Sequence, residues 1–155
     1  MAATGQKRLT KELCDLQKSP PEATTVSLLS DSDLYTWAIT LTGPPNTPFS
    51  SGLFHLTLTF PHTYPFSAPT LSFKTKILHP NVSSDGKGLM CLGILKAESW
   101  KPSMRIEAVL RAARELLIEP NVEDAVETSV AELMARDRGA WEKKAREWTE
   151  LYARS

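Results

Sequence analysis

The stretch YTWAITLTGPPNTPFSSGLFHLTLTF, residues 35–60, decides the architecture. Its two ends alternate. Tyr35, Trp37, Ile39 and Leu41 are apolar with threonine or alanine between them, and Phe54, Leu56, Leu58 and Phe60 are apolar with His55, Thr57 and Thr59 between them. A period of two marks strands with one face buried. The run Gly43-Pro44-Pro45-Asn46-Thr47-Pro48 breaks the chain between them, because proline and glycine clusters punctuate regular structure. Val26 with Leu28, and Leu71 with Phe73, supply a strand before and a strand after. Connections this short favour an antiparallel meander over crossover helices. One face of such a sheet must be covered by something else.

The cover is expected from both ends of the chain. Leu9, Leu13 and Leu16 recur at helical spacing until Pro20-Pro21 stops them,. Lys7, Arg8 and Lys11 lie off that stripe and are expected to face solvent. After Pro102 the period returns to helical, with Ser103 as the expected N-cap and Ile106, Val109, Leu110, Ala113, Leu116 and Leu117 as a wide apolar stripe,. Pro120-Asn121 breaks that helix. Val126, Val130 and Leu133-Met134 suggest another, and Asp137 opens a last one carrying Trp141, Ala145, Trp148 and Tyr152 on one face. Strands and helices are segregated along the chain, so the fold class is α+β. The 155 residues suit a single domain, read over 1–155,.

The 18 basic residues balance the 18 acidic ones. Bulk charge therefore gives no argument for binding nucleic acid or a membrane surface. No apolar run approaches the ~20 residues of a membrane span. Met1 to Lys11 is polar and basic, unlike a secretory leader,. The two cysteines, Cys14 and Cys91, are then expected as free thiols in a reducing compartment, cytoplasmic or nuclear,. His55, His62 and His79 show no metal-ligand spacing,.

From Pro61 to Pro102 the periodicity fades and the prolines crowd. A long irregular segment in a compact domain usually carries function. Cys91 sits inside it, in His79-Pro80-Asn81-Val82-Ser83-Ser84-Asp85-Gly86-Lys87-Gly88-Leu89-Met90-Cys91-Leu92-Gly93-Ile94-Leu95. Two readings of that thiol stand on the residues alone. It is a buried apolar residue in a short strand, Met90 to Leu95, or a nucleophile that carries an acyl group, with a loop asparagine available to an oxyanion. A hydrolase would need a histidine base and an orienting group around it. A thioredoxin-like activity would need a second cysteine at short spacing.

The order of several motifs goes further. Tyr64-Pro65-Phe66-Ser67-Ala68-Pro69, His79-Pro80-Asn81, Cys91-Leu92-Gly93-Ile94-Leu95, Trp100-Lys101-Pro102, Glu119-Pro120-Asn121-Val122-Glu123-Asp124 and Ala145-Arg146-Glu147-Trp148-Thr149 resemble, in sequence and order, the motifs of the ubiquitin-conjugating (E2) enzymes. The resemblance covers nearly the whole chain. It implies the UBC fold: an N-terminal helix, a four-stranded antiparallel meander, a long active-site loop and three C-terminal helices. It implies that Cys91 accepts ubiquitin from an activating enzyme, E1, as a thioester, and that a lysine amine of a protein substrate then attacks, with or without a ligase, E3, of the RING or HECT/RBR type. Asn81 would stabilise the oxyanion or order the loop. His79 would brace that loop. Asp124 would position or deprotonate the lysine. Lys7, Arg8 and Lys11 would meet E1; Phe66 and Pro102 would enter an E3 groove. Thr25 lies near the sheet face on which some members bind a second ubiquitin. No cofactor is implied, since E1 consumes the ATP. Alternatives of the same shape are an E2 for SUMO or NEDD8 and a non-catalytic E2-like binding module.

The chain also departs from the family pattern. Between Asn81 and Cys91 it has about two residues more than the shortest family pattern, around Gly86-Lys87-Gly88. Gly93 replaces a frequent aspartate, Ala68 and Ala125 replace prolines, Leu78 replaces a tyrosine, and Arg111 stands where an apolar residue is common.

Overall fold

A computed structural model describes residues 2 to 154. Met1 and Ser155, the ends of the domain expected over 1–155, lie outside the described residues. Helix α1 (Ala2–Lys18) leads into strands β1 (Thr24–Ser30), β2 (Asp33–Thr42), β3 (Leu53–Thr59) and β4 (Thr70–Phe73). The strands form one antiparallel sheet in chain order. Helices α2 (Ile106–Ile118), α3 (Thr128–Arg136) and α4 (Arg138–Tyr152) follow the long loop.

The register follows from the alternation. Trp37 faces Leu58, Ile39 faces Leu56 and Leu41 faces Phe54 across β2 and β3. Leu56 and Leu58 then face Phe73 and Leu71 of β4. A slip of one residue would turn every one of these side chains to the wrong face. All eight are buried and join a single core with Leu9, Leu13 and Leu16 of α1 and with Ile106, Val109, Leu110, Ala113 and Leu117 of α2. Each of the larger aliphatic and phenylalanine side chains contributes about 1.5–3 kcal/mol by leaving water.

Three expectations about element ends and faces are corrected. Helix α2 starts at Ile106, and Ser103 does not cap it. The Glu12 carboxylate, reaching across from α1, accepts the Ile106 N–H at 3.0 Å instead. Val126 precedes α3 and is exposed. Arg8 does not face solvent: its guanidinium donates to the carbonyls of Pro102 and Met104, pairs with Glu12 at 3.2 Å, and lies 5.2 Å from the Tyr64 ring centroid. Glu12 thereby takes bonds from Arg8, the Tyr64 hydroxyl and Ile106 at one buried point. Burial, then the bond to Glu12, raises the Tyr64 phenol above its ordinary pKa, which keeps the hydroxyl a donor. Asp137 does cap α4, accepting from the Ala140 N–H at 3.0 Å.

Candidate active site

Cys91 lies neither in a strand nor in the core. It is partly exposed, and the segment after it forms a short 3-10 turn, Gly93–Leu95. The expectation of a short apolar strand over Met90 to Leu95 is thus corrected: only Met90 makes an isolated bridge, with Val82. The approach to the thiol is nonetheless rigidly pinned. Met90 N–H donates to Leu71 O, Ser83 N–H to Leu89 O and Cys91 N–H to Asn81 O, each at 2.9 Å. The loop turns at Gly88, where φ is +64° and a Cβ would come within 2.0 Å of the Phe73 carbonyl oxygen. Glycine is required there on both counts. Gly86 also has positive φ, with open space around it. Around Gly86 the chain makes an exposed turn held by Asp85, whose carboxylate accepts from Ser83 and from the Lys87 N–H.

The triplet His79-Pro80-Asn81 is the hub of this region. His79 is 1 % exposed. Its Nδ1 accepts the Asn81 N–H at 3.0 Å, which leaves Nε2 to donate to Leu116 O at the end of α2, at 2.7 Å. The Pro80 carbonyl accepts two N–H groups, from Val126 and Glu127, at the entrance to α3. The Asn81 side chain, also 1 % exposed, accepts the Asn121 N–H at 2.9 Å and donates to Asn121 O and Asp124 O at 2.9 and 3.2 Å. An amide has two N–H donors, and both of Asn81's are committed within the loop. Three consecutive residues thus fasten α2, the acidic loop, α3 and the Cys91 segment to one another.

Burial pushes the His79 ring down from 6.5 to about 4, against the opposing bond to Leu116. The unfolded chain takes up this proton below about 6.5, and the folded chain only below about 4. Stability from this group is whole above 6.5 and falls as pH drops through that window, by about 3 kcal/mol in all. Denaturant midpoints measured between roughly pH 7 and pH 5, above the carboxylate range, will decline in the native chain. In His79→Gln that decline will be shallower.

A cavity of about 440 Å³ opens beside the thiol. It is lined by Cys91, Gly93, Asn121 and Asp124, together with Glu115 of α2 and Glu119 just past its end. Three acidic residues thus line the same cavity as the partly exposed Cys91. Asp124 carries a bond that the sequence did not suggest: Lys96 Nζ lies 2.6 Å from its Oδ2. That bond, ahead of the more general attraction of Asp124, Cys91 and Glu98, raises the Lys96 pKa above its ordinary value. Among the described residues no cluster of histidine, cysteine, aspartate or glutamate could hold a metal ion. No described helix is long and apolar enough to cross a membrane.

On a different face, Phe66 is 58 % exposed and Pro102 is exposed. Their loops are joined by the Trp100 indole N–H, which donates to Pro65 O at 2.7 Å. Phe66 is too exposed to belong to the core. Lys7 and Lys11 are exposed on α1, Lys11 in an ion pair with Asp15, whereas Arg8 is tied inward as described. Thr25 is exposed on β1. Arg111 pairs with Glu107 one turn back along α2.

Comparison with known proteins agrees with this layout. The family model described as ubiquitin-conjugating enzyme matches residues 8–149. The chain is 41 % identical over 152 residues to ubiquitin-conjugating enzyme E2 14 of Schizosaccharomyces pombe, covering 98 % of this chain and 96 % of the relative. Its fold is similar to the E2 domain of a Toxoplasma gondii ubiquitin conjugating enzyme, with a TM-score of 0.87 and 35 % identity over 96 % of this chain and 99 % of that one. The chain belongs to the ubiquitin-conjugating enzyme family and has the UBC fold.

Proposed function

We propose that the chain accepts ubiquitin from E1 as a thioester on Cys91 and passes it to a lysine amine, directly or with an E3. The observation that carries this reading is a partly exposed thiol whose backbone is fixed by Asn81 and which lines one cavity with Glu115, Glu119 and Asp124. A thiolate is a good leaving group, and an acidic cavity favours the approach of an ammonium. In the transfer step the amine nitrogen attacks the thioester carbonyl carbon. The C–S bond breaks, the Cys91 thiolate leaves, and the amine proton passes to a carboxylate or to water. Lysine at neutral pH needs such help, with an unperturbed pKa of about 10.4.

In this reading Asn81 acts by holding the acidic loop, since both of its donors are spent there. His79 braces the same loop as a neutral ring. Asp124 is the carboxylate that receives the amine. Exposed Lys7 and Lys11 are available to E1, with Arg8 shaping that surface from beneath. E1 consumes the ATP, and no cofactor is assigned to this chain. A reducing compartment, cytoplasmic or nuclear, suits a thiol that must stay free.

The test is incubation with E1, ATP and ubiquitin. A reductant-sensitive adduct on Cys91 is expected. Charging by SUMO or NEDD8 machinery in place of ubiquitin would change the cargo, and no charging by any of them would leave a binding module. Phe66, an exposed aromatic beside Pro102, has the character of an interface hot spot. Phe66→Ala will leave E1 charging intact and reduce ligase-stimulated transfer at least several-fold. Unchanged stimulation across several RING and HECT/RBR ligases would remove it from that surface.

A further inference from the structure

Lys96 is the one cation bonded to a cavity-lining carboxylate beside Cys91 among the described residues. Its backbone is held on both sides. Its N–H donates to Gly93 O, and its carbonyl accepts the N–H groups of Ser99 and Trp100. From that fixed base the side chain reaches the acidic loop and places Nζ 2.6 Å from Asp124 Oδ2. Gly93, three residues back and lining the cavity, has no side chain to offer a competing partner, and nothing lies within 4 Å of where its Cβ would be. An ammonium of this chain thus occupies the carboxylate at which an acceptor ammonium would be received. Both partners remain partly exposed, at 36 % and 44 %, so the contact can be exchanged for another cation.

We propose that Lys96 is an acceptor-selecting residue: it holds the Asp124 carboxylate until an incoming lysine displaces it, and so restrains transfer to amines but not to thiols. This rests on the reading of Asp124 as the carboxylate that receives the acceptor amine. A small thiol attacks the same thioester carbonyl as its thiolate, after giving its proton to solvent, and needs no carboxylate to bind a positive charge, so its route does not pass through the Lys96–Asp124 contact. Lys96 does not touch the reacting atoms in this scheme; it positions by occupancy. A protein acceptor with enough neighbouring contacts would displace Lys96 readily, whereas free lysine would do so poorly. Selection is therefore strongest against unguided amines.

The experiment uses the full chain, charged with ubiquitin by E1 and then followed in single-turnover discharge. Free lysine and β-mercaptoethanol serve as acceptors. The variants are Lys96→Ala, Lys96→Gln, Lys96→Arg, Asp124→Asn and Lys96→Ala with Asp124→Asn. Lys96→Ala and Lys96→Gln are expected to raise the rate with subsaturating lysine about two- to five-fold, the span of coupling in exposed ion pairs. The gain should appear in the lysine KM and not in kcat. Lys96→Arg should behave as the native chain. The thiol rate should stay the same in all three. In the Asp124→Asn background, removing Lys96 should change nothing.

Three results would overturn the inference: no gain with lysine, equal gains with lysine and thiol, or a gain that persists without the Asp124 carboxylate. Separately, if Asp124→Asn alone leaves lysine discharge untouched, the reading of Asp124 itself fails, and Lys96 loses its role with it. If Asp124→Asn slows lysine discharge while Lys96→Ala does nothing, only the inference about Lys96 falls.

Discussion

In Cys91→Ala, E1 and ATP will give no adduct with ubiquitin, and in Cys91→Ser they will give one that survives reductant. The serine hydroxyl nearly matches the thiol in shape, and Cys91 makes its fixing bond through its backbone N–H to Asn81 O. Neither change removes that bond, so folding stability should move by about 0.5 kcal/mol or less, as for most partly exposed sites. The chemistry changes instead. An oxygen ester is less activated toward amines than a thioester, because alkoxide is a far poorer leaving group than thiolate. Discharge onto lysine from Cys91→Ser should therefore nearly stop. The measurement is gel analysis with and without reductant. Cys14, the other thiol, is exposed on α1. A reducible adduct remaining in Cys91→Ala would move the nucleophile there and overturn the assignment.

The second large effect is expected at Asn81. Asn81→Ala removes the acceptor of the Asn121 N–H and the donors to Asn121 O and Asp124 O. Groups left without partners in a half-buried loop cost about 1–3 kcal/mol each. The acidic loop should shift, and a displacement of about 1 Å at a reacting group costs on the order of 100-fold in rate. Discharge onto lysine should fall by at least about ten-fold on that scale. Charging by E1 should fall much less, because alanine keeps the backbone carbonyl that holds the Cys91 N–H. Asn81→Asp should be no better. It retains an acceptor for Asn121 but sets a carboxylate oxygen against two carbonyls. Equal losses in charging and discharge would place the damage in the fold or the E1 contact instead of the acceptor side.

The sheet was legible because its rule is local. Trp37, Ile39, Phe54 and Leu58 alternate in sequence, and the alternation is the buried face. The cap of α2 was not, because it is supplied by Glu12 from the far end of the chain, and no window around Ser103 contains that residue. The same distance hid Arg8. Its partners, Pro102 and Met104, lie 94 and 96 residues further along the chain. A clue did exist: Glu12 lies at the edge of the Leu9, Leu13 and Leu16 stripe, and a carboxylate on a buried edge asks for partners.

The loop from His79 to Cys91 has no period to read. Its order comes from single bonds to β4, α2 and the acidic loop, so only the ordered motifs pointed to it. Those motifs brought Cys91, Asn81 and Asp124 into view together. They could not point to Lys96, which belongs to none of them and whose placement depends on the 3-10 turn Gly93–Leu95.

Glu12 also bears on where this chain can be cut or joined to another. It binds α1, Tyr64 and the first N–H of α2 at one point, with Ile106 lying 94 residues further on. A shortened version that loses the first helix through Glu12 would uncap a helix in the second half of the protein and strip the tyrosine beside the proline-rich loop of its acceptor. Fragments that separate α1 from the rest should therefore complement each other only when both are supplied, and minimal versions for display or crystallisation should begin well before residue 12.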